Sequence, residues 1–361
     1  MSGDPFGTAA LRARVLDAWT ASPARFREDA NAEEDLALGG YRDRVVVELA
    51  QNAADAAARA GVPGRLLLRL ADGVLTASNT GAALDAAGVE TLSTLRASAK
   101  RGTGTPGTVG RFGVGFAAVL AVSDEPRVVS TSGAARWSLA EARATVAGVP
   151  ALADELTRRG GQVPALRLPW AADGEPETGF DTTVVLPLRD EPARALAARL
   201  LEEVDDALLL ALPALAEVVV EVDGRRRSLG DAARWHVVRR SGALDPALLA
   251  GRPTEERDRP FWSLTWALPV AGQPVPATLH APTPTDEPLD LPALLIGSFP
   301  LDPSRRHVAP GALTDFLVGQ AARAYAELVA ASDDPLALVP GVVPAGALDA
   351  ALRTAIVAAL A

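Results

Sequence analysis

The chain contains no cysteine, a single lysine and only three asparagines. Without cysteine, neither a disulfide nor a thiolate metal site can form, although this does not by itself decide the compartment. Long apolar runs are missing too: no stretch approaches the ~20 residues of a membrane span. The N-terminal sequence MSGDPFGTAALRAR has no apolar signal core. We therefore expect a cytoplasmic protein with no membrane partner.

Positive charge is also scarce, since the formal net charge is −10. This balance disfavours broad binding to the phosphate backbone of nucleic acids, which requires clustered basic residues. Among the 35 basic residues only Lys100 is lysine, and asparagine occurs only at positions 31, 52 and 79. We attribute this bias to the coding sequence. It gives extra weight to Asn52, Asn79 and Lys100, which persist against the background.

The length predicts two domains, because single cores rarely exceed roughly 250–300 residues. The chain has 361 residues, and 48% of them are hydrophobic, which is ample for packed cores. A charged connector, GRRRSLGDAAR, spans about 225–234. We predict one domain over residues 1–225 and a second over 235–361.

One predicted helix, RVVVELAQNAADAAARAG at 44–61, combines an apolar bulk with a polar stripe. Glu48, Asn52 and Asp55 stand at i, i+4 and i+7, which places them on one face. Transfer free energies indicate that burying such a group without a hydrogen-bond partner costs roughly several kcal/mol. A ligand that brings its own donors, acceptors and metal would satisfy them. The alternative, a stripe that faces water, stays open at this point.

Periodicity and turn residues predict the remaining elements. In the first half we expect one or two helices over 8–38, a hairpin over 65–79 that turns at Asp72-Gly73, a helix over 84–100 and a helix over 110–124. We also expect paired strands around 126–139, paired strands over 163–170 and 181–189, one helix over 192–215 and a strand over 216–224. The second half shows strands near 235–240, 260–270, 275–281 and 293–299, then helices near 311–331 and 345–360.

Two glycine clusters follow one another between 102 and 115. The first, 102–107, matches G-x-G-x-x-G, but a dinucleotide site needs a strand directly before the glycines. Here a predicted helix precedes them and Pro106 interrupts the motif, so we reject that interpretation. The second, GRFGVGF, opens a predicted helix, where backbone N–H groups can approach a phosphate closely. Close helix packing beside a flexible loop is the alternative interpretation.

Four blocks taken in order resemble the GHKL ATPases, in particular the heat shock protein 90 branch and the ATPase-like N-terminal region of sacsin. ELAQNAADA (48–56) is similar to the E-x-x-x-N-x-x-D helix, and SNTGAAL (78–84) stands at the D-x-G position. SAKRGTGTPGTVGRFGVGFAAVLAVSDEP resembles the S-x-K, GRFGxGF and D-x-P segments of sacsin. DTTVVLPL (181–188) is similar to the G-T-x-[IV]-x-L strand.

The resemblance implies an α+β fold: a Bergerat-type (HATPase) α/β sandwich, with a mixed, mainly antiparallel sheet covered by helices on one face. A second, middle-type (transducer-like) α/β domain should follow. It implies binding of ATP or ADP with Mg²⁺, with Glu48 as the general base and Asn52 as the metal ligand. The nucleotide-binding residues implied by position are Asp55, Asn79, Gly81 and Thr182 at the adenine end, and Ser98, Lys100, Gly110, Arg111, Phe112, Gly113, Val114, Gly115 and Phe116 around the phosphates.

Two positions depart from the family pattern. Asn79 stands where the chaperones carry an aspartate that reads the adenine amino group; its carbonyl can still accept that hydrogen bond, without the charge. Asp181 replaces the glycine of the fourth block. These departures fall at the adenine end of the expected site.

The second half carries a fainter resemblance. GSFPLDPSRRHVA (297–309) is similar to the middle-domain loop that supplies an arginine to the γ-phosphate. Position assigns that catalytic role to Arg305, with Arg306 beside it; a surface arginine pair is the alternative. Trp262 and Trp266 lie four apart on one side of a predicted strand, which indicates a core position.

The resemblance implies an ATP hydrolase that turns over slowly, with a lid at about 97–110 that closes over ATP and a chaperone-like or partner-remodelling activity on a protein client. The alternative is a nucleotide-gated scaffold that regulates a partner with little or no hydrolysis. A histidine kinase does not fit, because no histidine precedes residue 236. The resemblance leaves a homodimer open.

Overall fold

A computed structural model describes residues 3–39, 42–93, 115–230, 234–252, 257, 260–270, 275–302 and 306–361. The chain divides into two compact units. The first comprises residues up to Val204 together with Ala214–Leu229, and the second comprises Asp205–Pro213 together with the residues from Gly230 onwards. The fold is α+β, and both units contain a mixed sheet.

The first unit contains seven α-helices and eight strands within its described residues. The helices are α1 Thr8–Ala21, α2 Pro23–Leu38, α3 Val45–Ala60, α4 Ala86–Leu92, α5 Leu139–Ala147, α6 Ala153–Arg158 and α7 Glu191–Glu202. The strands are β1 Gly64–Ala71, β2 Val74–Asn79, β3 Arg127–Ser130, β4 Gly133–Arg136, β5 Trp170–Ala172, β6 Thr182–Pro187, β7 Leu215–Val222 and β8 Arg225–Leu229. Short 3₁₀ helices cover Arg42–Arg44, Gly115–Ala121, Pro150–Leu152 and Ala165–Arg167.

These strands form one sheet in the order β5-β4-β3-β6-β2-β1-β7-β8. Only the β1–β7 pair is parallel among the pairs described. The predicted hairpin is confirmed: β1 and β2 pair antiparallel, with Ala71 opposite Val74. Asp72 and Gly73 both have positive φ, at 50° and 73°, which a two-residue turn between twisted strands requires.

The helix predicted over 44–61 is confirmed as α3, which packs against β1, β2 and the 3₁₀ helix Gly115–Ala121. Most of its alanines and valines are buried: Val45, Val46, Ala50, Ala53, Ala54, Ala56 and Ala57. Because alanine side chains are small, neighbouring backbones approach α3 closely. This close approach positions the residues described in the next subsection.

Two predictions for the first unit are wrong. Residues 163–170 were expected to form a strand, but Ala165–Arg167 is a 3₁₀ helix. The N–H groups of Ala165 and Leu166 donate to the side-chain carboxyl oxygens of Glu33 on α2 at 2.6 and 3.1 Å, so they do not join a sheet. The helix expected over 110–124 is, in its described part, a 3₁₀ helix over Gly115–Ala121, a geometry common in short segments.

The second unit contains three α-helices and five strands within the part of the chain that is described. The helices are α8 Asp206–Ala211, α9 Ala312–Ala330 and α10 Ala347–Leu360, with 3₁₀ helices at Pro246–Leu249 and Pro335–Leu338. The strands are β9 Trp235–Ala243, β10 Phe261–Pro269, β11 Thr278–His280, β12 Pro284–Pro288 and β13 Leu294–Gly297. They form a sheet in the order β12-β11-β13-β10-β9, in which the β11–β13 pair is parallel.

Trp262 and Trp266 are buried, as predicted. They lie in a cluster with residues of α9, and the indole N–H of Trp266 donates to the carbonyl of Ala321 at 2.8 Å. Ala267, which points to the opposite face of β10, packs with Ala207 and Leu210 of α8. The second sheet is therefore covered on both faces.

The prediction of a single helix over 192–215 is wrong. Residues Glu191–Glu202 and Asp206–Ala211 are separate helices that lie in different units. The break is local, because the Asp205 side chain accepts the N–H of Ala207 at 2.9 Å and starts a new helix. Leu210 then packs on the second sheet, although its sequence lies inside the predicted first domain 1–225.

The described residues contain no helix that is both long enough and apolar enough to span a bilayer.

Candidate functional site

Helix α3 is buried almost all the way around its axis. Every residue from Val45 to Ala57 is described, and Asn52 is the only one of them that is exposed. Glu48 and Asp55 are buried, with 9% and 2% of their surface exposed. At 3.6 residues per turn, Glu48 and Asp55 lie within about 20° of each other around the axis, and Asn52 lies about 40° to one side. Solvent therefore reaches α3 beside two buried carboxylates.

The first of these carboxylates lies against Gly115. A Cβ atom added to Gly115 would stand 1.9 Å from Oε2 of Glu48, far inside van der Waals contact. Gly115 begins the 3₁₀ helix that packs on α3, and Phe116, the next residue, is buried. The structure thus brings the Glu48 motif to the last glycine of GRFGVGF.

The turn after β2 meets α3 further along the helix. Gly81 has φ +135°, and a Cβ atom there would lie 2.5 Å from the carbonyl carbon of Ala56. The N–H of Ala82 donates to the carbonyl of Ala56 at 2.9 Å. The second motif is therefore seated directly on the backbone of α3, one residue beyond Asp55.

Asn79 and Thr182 face each other in the sheet, where β2 ends and β6 begins. Both are buried. The Asn79 amide nitrogen donates to the carbonyl of Thr80 at 3.3 Å, and the Thr182 hydroxyl lies 2.9 Å from the Ser130 hydroxyl. The second and fourth motifs thus adjoin at the end of the site that carries Asp55 and Gly81.

Several predicted residues cannot be placed. Ser98, Lys100, Gly110, Arg111, Phe112, Gly113, Val114 and Arg305 lie outside the described residues, as does the segment 97–110. The predicted phosphate contacts among them stay predictions.

Arg306 belongs to the second unit. Its guanidinium forms an ion pair with Asp286 of β12 at 3.1 Å, and its N–H donates to the Asp302 side chain at 3.3 Å. The side chain is 59% exposed. In the structure Arg306 therefore ties its turn to β12.

Sequence reasoning missed three residues that support the site. Trp137 is fully buried; its indole N–H donates to the Ser93 hydroxyl at 3.2 Å, and its ring lies 5.2 Å from that of Phe116.

Arg189 donates to Asp124 at 2.7 Å and to the carbonyl of Leu120 at 2.7 Å, which fixes the end of the 3₁₀ helix. Ser130 bonds Thr182. Only Asp124 had a sequence signal, as part of the D-x-P segment.

In the described part of the chain, no group of three or more His, Cys, Asp or Glu residues is arranged to hold a metal ion. An amide oxygen such as that of Asn52 is a hard ligand suited to Mg²⁺, which commonly takes one or two protein ligands and completes its shell with water and phosphate oxygens. The exposed amide of Asn52 fits that role.

No family model matches the chain, and a search of curated proteins found no match.

Proposed function

We propose that the chain binds ATP with Mg²⁺ over helix α3 and hydrolyses it slowly, as a GHKL ATPase of heat shock protein 90 type with a Bergerat fold. The observation that supports this most directly is that Asn52 is the only exposed residue between Val45 and Ala57 of α3, where Glu48 and Asp55 on the same side of the helix are buried. Burying a carboxylate is costly, and α3 buries two of them on the arc that carries the exposed Asn52. A nucleotide site explains both the opening and the carboxylates.

The arrangement divides the proposed site into two ends. Glu48 beside Gly115 would serve the phosphate end, where a general base orients the attacking water. Asn52 would hold Mg²⁺, which supplies charge neutralisation for the phosphates. Asp55, Asn79, Gly81 and Thr182 would line the adenine end, because the turn after β2 is seated on α3 beside Asp55. Phosphoryl transfer needs chiefly positioning and charge stabilisation, and this set provides both.

Calorimetric titration with ATP and with ADP, each with Mg²⁺ and with EDTA, tests the proposal. We expect binding that Mg²⁺ strengthens. In Asn52→Ala the affinity for ATP should be about the same with and without Mg²⁺. In Gln162→Ala, which changes an exposed amide in the same unit, Mg²⁺ should still strengthen binding. Absence of nucleotide binding by the unaltered chain would refute the proposed function.

Hydrolysis is tested separately, by phosphate release. Glu48→Ala should lower the rate by at least about a hundredfold, the scale of general-base catalysis, while nucleotide affinity persists. Glu90→Gln is the matched control, because Glu90 lies in the same unit and is exposed. Unchanged turnover in Glu48→Ala would show that another group is the base.

A nucleotide-gated scaffold with little hydrolysis is the second candidate. It is favoured by the pairing of Arg306 with Asp286, which engages that arginine within its own unit. Binding of ATP without phosphate release over hours would select it. Coupling of the nucleotide state to a protein client, through a middle-type second domain, completes the proposal for either candidate.

A further inference from the structure

Asp181 is the residue immediately before β6, and it forms hydrogen bonds to two other segments of the chain. Its carboxylate oxygen Oδ2 accepts the N–H of Gly81 at 2.8 Å. Its own N–H donates to the carbonyl of Asn79 at 2.9 Å. Its carbonyl accepts the N–H of Thr131 at 3.0 Å and the hydroxyl of Ser130 at 3.0 Å. Asp181 therefore connects the turn after β2, the turn after β3 and the start of β6.

The turn that contains Gly81 also packs closely against the backbone of α3. A Cβ atom at Gly81 would lie 2.5–2.6 Å from three backbone atoms of Ala56 and Ala57, so the chain contacts α3 directly there. The φ of +135° at Gly81 is a conformation that side chains rarely adopt. Gly81 thus contacts the α3 backbone and donates its own N–H to the Asp181 carboxylate, a bond that is lost if that carboxylate is removed.

The remainder of the turn is fixed by Ser130. The N–H of Leu84 donates to the Ser130 hydroxyl at 3.0 Å, and the same hydroxyl lies 2.9 Å from that of Thr182. Asp181 and Ser130 together therefore bond both ends of residues 79–84 to the start of β6 and the end of β3. The bond from the Gly81 N–H is the charge-assisted one in this set, and such bonds are stronger than neutral ones.

We propose that Asp181 is a positioning residue that holds the Asn79–Gly81 turn against α3 and so sets the geometry of the base-binding end of the site. The inference rests on the proposed function for its effect on ligands, but the contacts that carry it do not. It predicts that the loss of the carboxylate weakens recognition of the nucleoside and spares recognition of the phosphates. Adenosine, which lacks phosphates and needs no metal, is the direct probe.

The test compares Asp181→Ala, Asp181→Asn and, as control, Asp173→Ala, which alters an exposed aspartate in the preceding segment. In Asp181→Ala the dissociation constant for adenosine should rise about tenfold or more, the scale of a lost hydrogen bond to a charged group. That for ATP should rise by the same factor, so that their ratio is unchanged. Asp181→Asn keeps an acceptor oxygen for the Gly81 N–H and should restore most of the affinity. Asp173→Ala should bind as the unaltered chain does.

Amide hydrogen exchange at Gly81, measured by NMR without ligand, gives a readout that does not depend on the nucleotide. Exchange should be faster in Asp181→Ala and close to the unaltered rate in Asp181→Asn and Asp173→Ala. If the unaltered chain binds no nucleotide but the variants show this exchange pattern, the proposed function is refuted and the positioning role of Asp181 is retained. Unchanged exchange in Asp181→Ala, an unchanged adenosine affinity, or an equal loss in Asp181→Asn would overturn the role of Asp181.

Discussion

Oε2 of Glu48 occupies the space where a side chain on Gly115 would begin. The 1.9 Å separation from an ideal Cβ position is too short for any real contact. The two residues lie more than sixty positions apart in the sequence, in different motifs. Glycine at 115 is thus a condition for the present position of the Glu48 carboxylate.

Gly115→Ala should displace the Glu48 carboxylate without unfolding the chain, because the crowded atom is the free end of a flexible side chain. With Glu48 as the proposed base, phosphate release should fall by about tenfold or more, on the scale of a misplaced catalytic group, with nucleotide affinity and melting temperature nearly retained. In a Glu48→Ala background the same change should have no further effect on the rate, since residues that act as a unit are not additive. Gly319→Ala, where a Cβ would meet no atom within 4 Å, is the control. A full additional loss in the Glu48→Ala background would contradict this coupling.

Glu33 should make the chain less stable as the pH rises. Burial raises the pKa of Glu33 to about 8, against the opposing effect of the N–H groups of Leu166 and Ala165. Between about pH 4.5 and pH 8 the folded chain keeps a proton that the unfolded chain releases. The stabilisation is therefore complete below about pH 4.5 and is lost as the pH rises through 8.

Glu33→Gln should flatten this dependence, whose slope is up to about 1.4 kcal/mol per pH unit. It should also lower the stability at every pH, because the amide nitrogen cannot accept a backbone N–H. Urea unfolding from pH 5 to 9 measures both effects. Glu34→Gln, at the exposed neighbouring position, should keep the slope of the unaltered chain. An equal slope in Glu33→Gln and the unaltered chain would exclude Glu33 as its source.

His280 should make the folded chain less stable as the pH falls. Burial lowers the pKa of His280 to about 4, so the folded chain excludes a proton that the unfolded chain binds below its ordinary pKa of 6.5. The contribution of neutral His280 is present above about pH 6.5 and is lost as the pH falls towards 4. His280→Leu should reduce the fall in the free energy of unfolding over this range, and His236→Leu, at an exposed position, should not. Superimposable acid unfolding curves for His280→Leu and the unaltered chain would refute this.

Arg353 and Asp349 form a buried ion pair on α10. The guanidinium contacts Oδ2 of Asp349 at 2.9 Å and donates to the carbonyls of Gly341 and Asp290. Asp349 is fully buried. Arg353→Met should lower the free energy of unfolding by about 3–5 kcal/mol, because it leaves a carboxylate buried without its cation.

The double substitution Arg353→Met with Asp349→Leu should be less damaging than Arg353→Met alone, since it removes the stranded charge. Arg323→Met, an exposed position on α9, should change the stability by less than about 0.5 kcal/mol. Urea unfolding compares the variants. Asp349→Leu alone completes the set, and a loss in the double variant as large as the sum of the losses in Arg353→Met and Asp349→Leu would show that the two residues act independently.

The sequence predictions were correct where neighbouring residues determine the local structure. They were wrong where contacts between segments distant in the sequence determine it. The turn at Asp72-Gly73 and the buried side of Trp262 and Trp266 were predicted correctly, because turn chemistry and strand alternation are local. The strand expected at 163–170 was wrong, because Glu33, over a hundred residues away in the sequence, binds the N–H groups that a sheet would need. The break between α7 and α8 has a local signal in Asp205, but the apolar pattern of 192–215 does not reveal that Leu210 packs on another sheet.

The sequence by itself determined that Glu48, Asn52 and Asp55 occupy one arc of a helix, because residue spacing on an α-helix is fixed by backbone geometry. Only the tertiary structure decided that Asn52 is exposed while both carboxylates are buried, that Glu48 lies against Gly115, and that Asp181 holds Gly81. Those outcomes depend on which distant segments cover the helix. Burial and contact are properties of the packed chain, and a local pattern does not contain them.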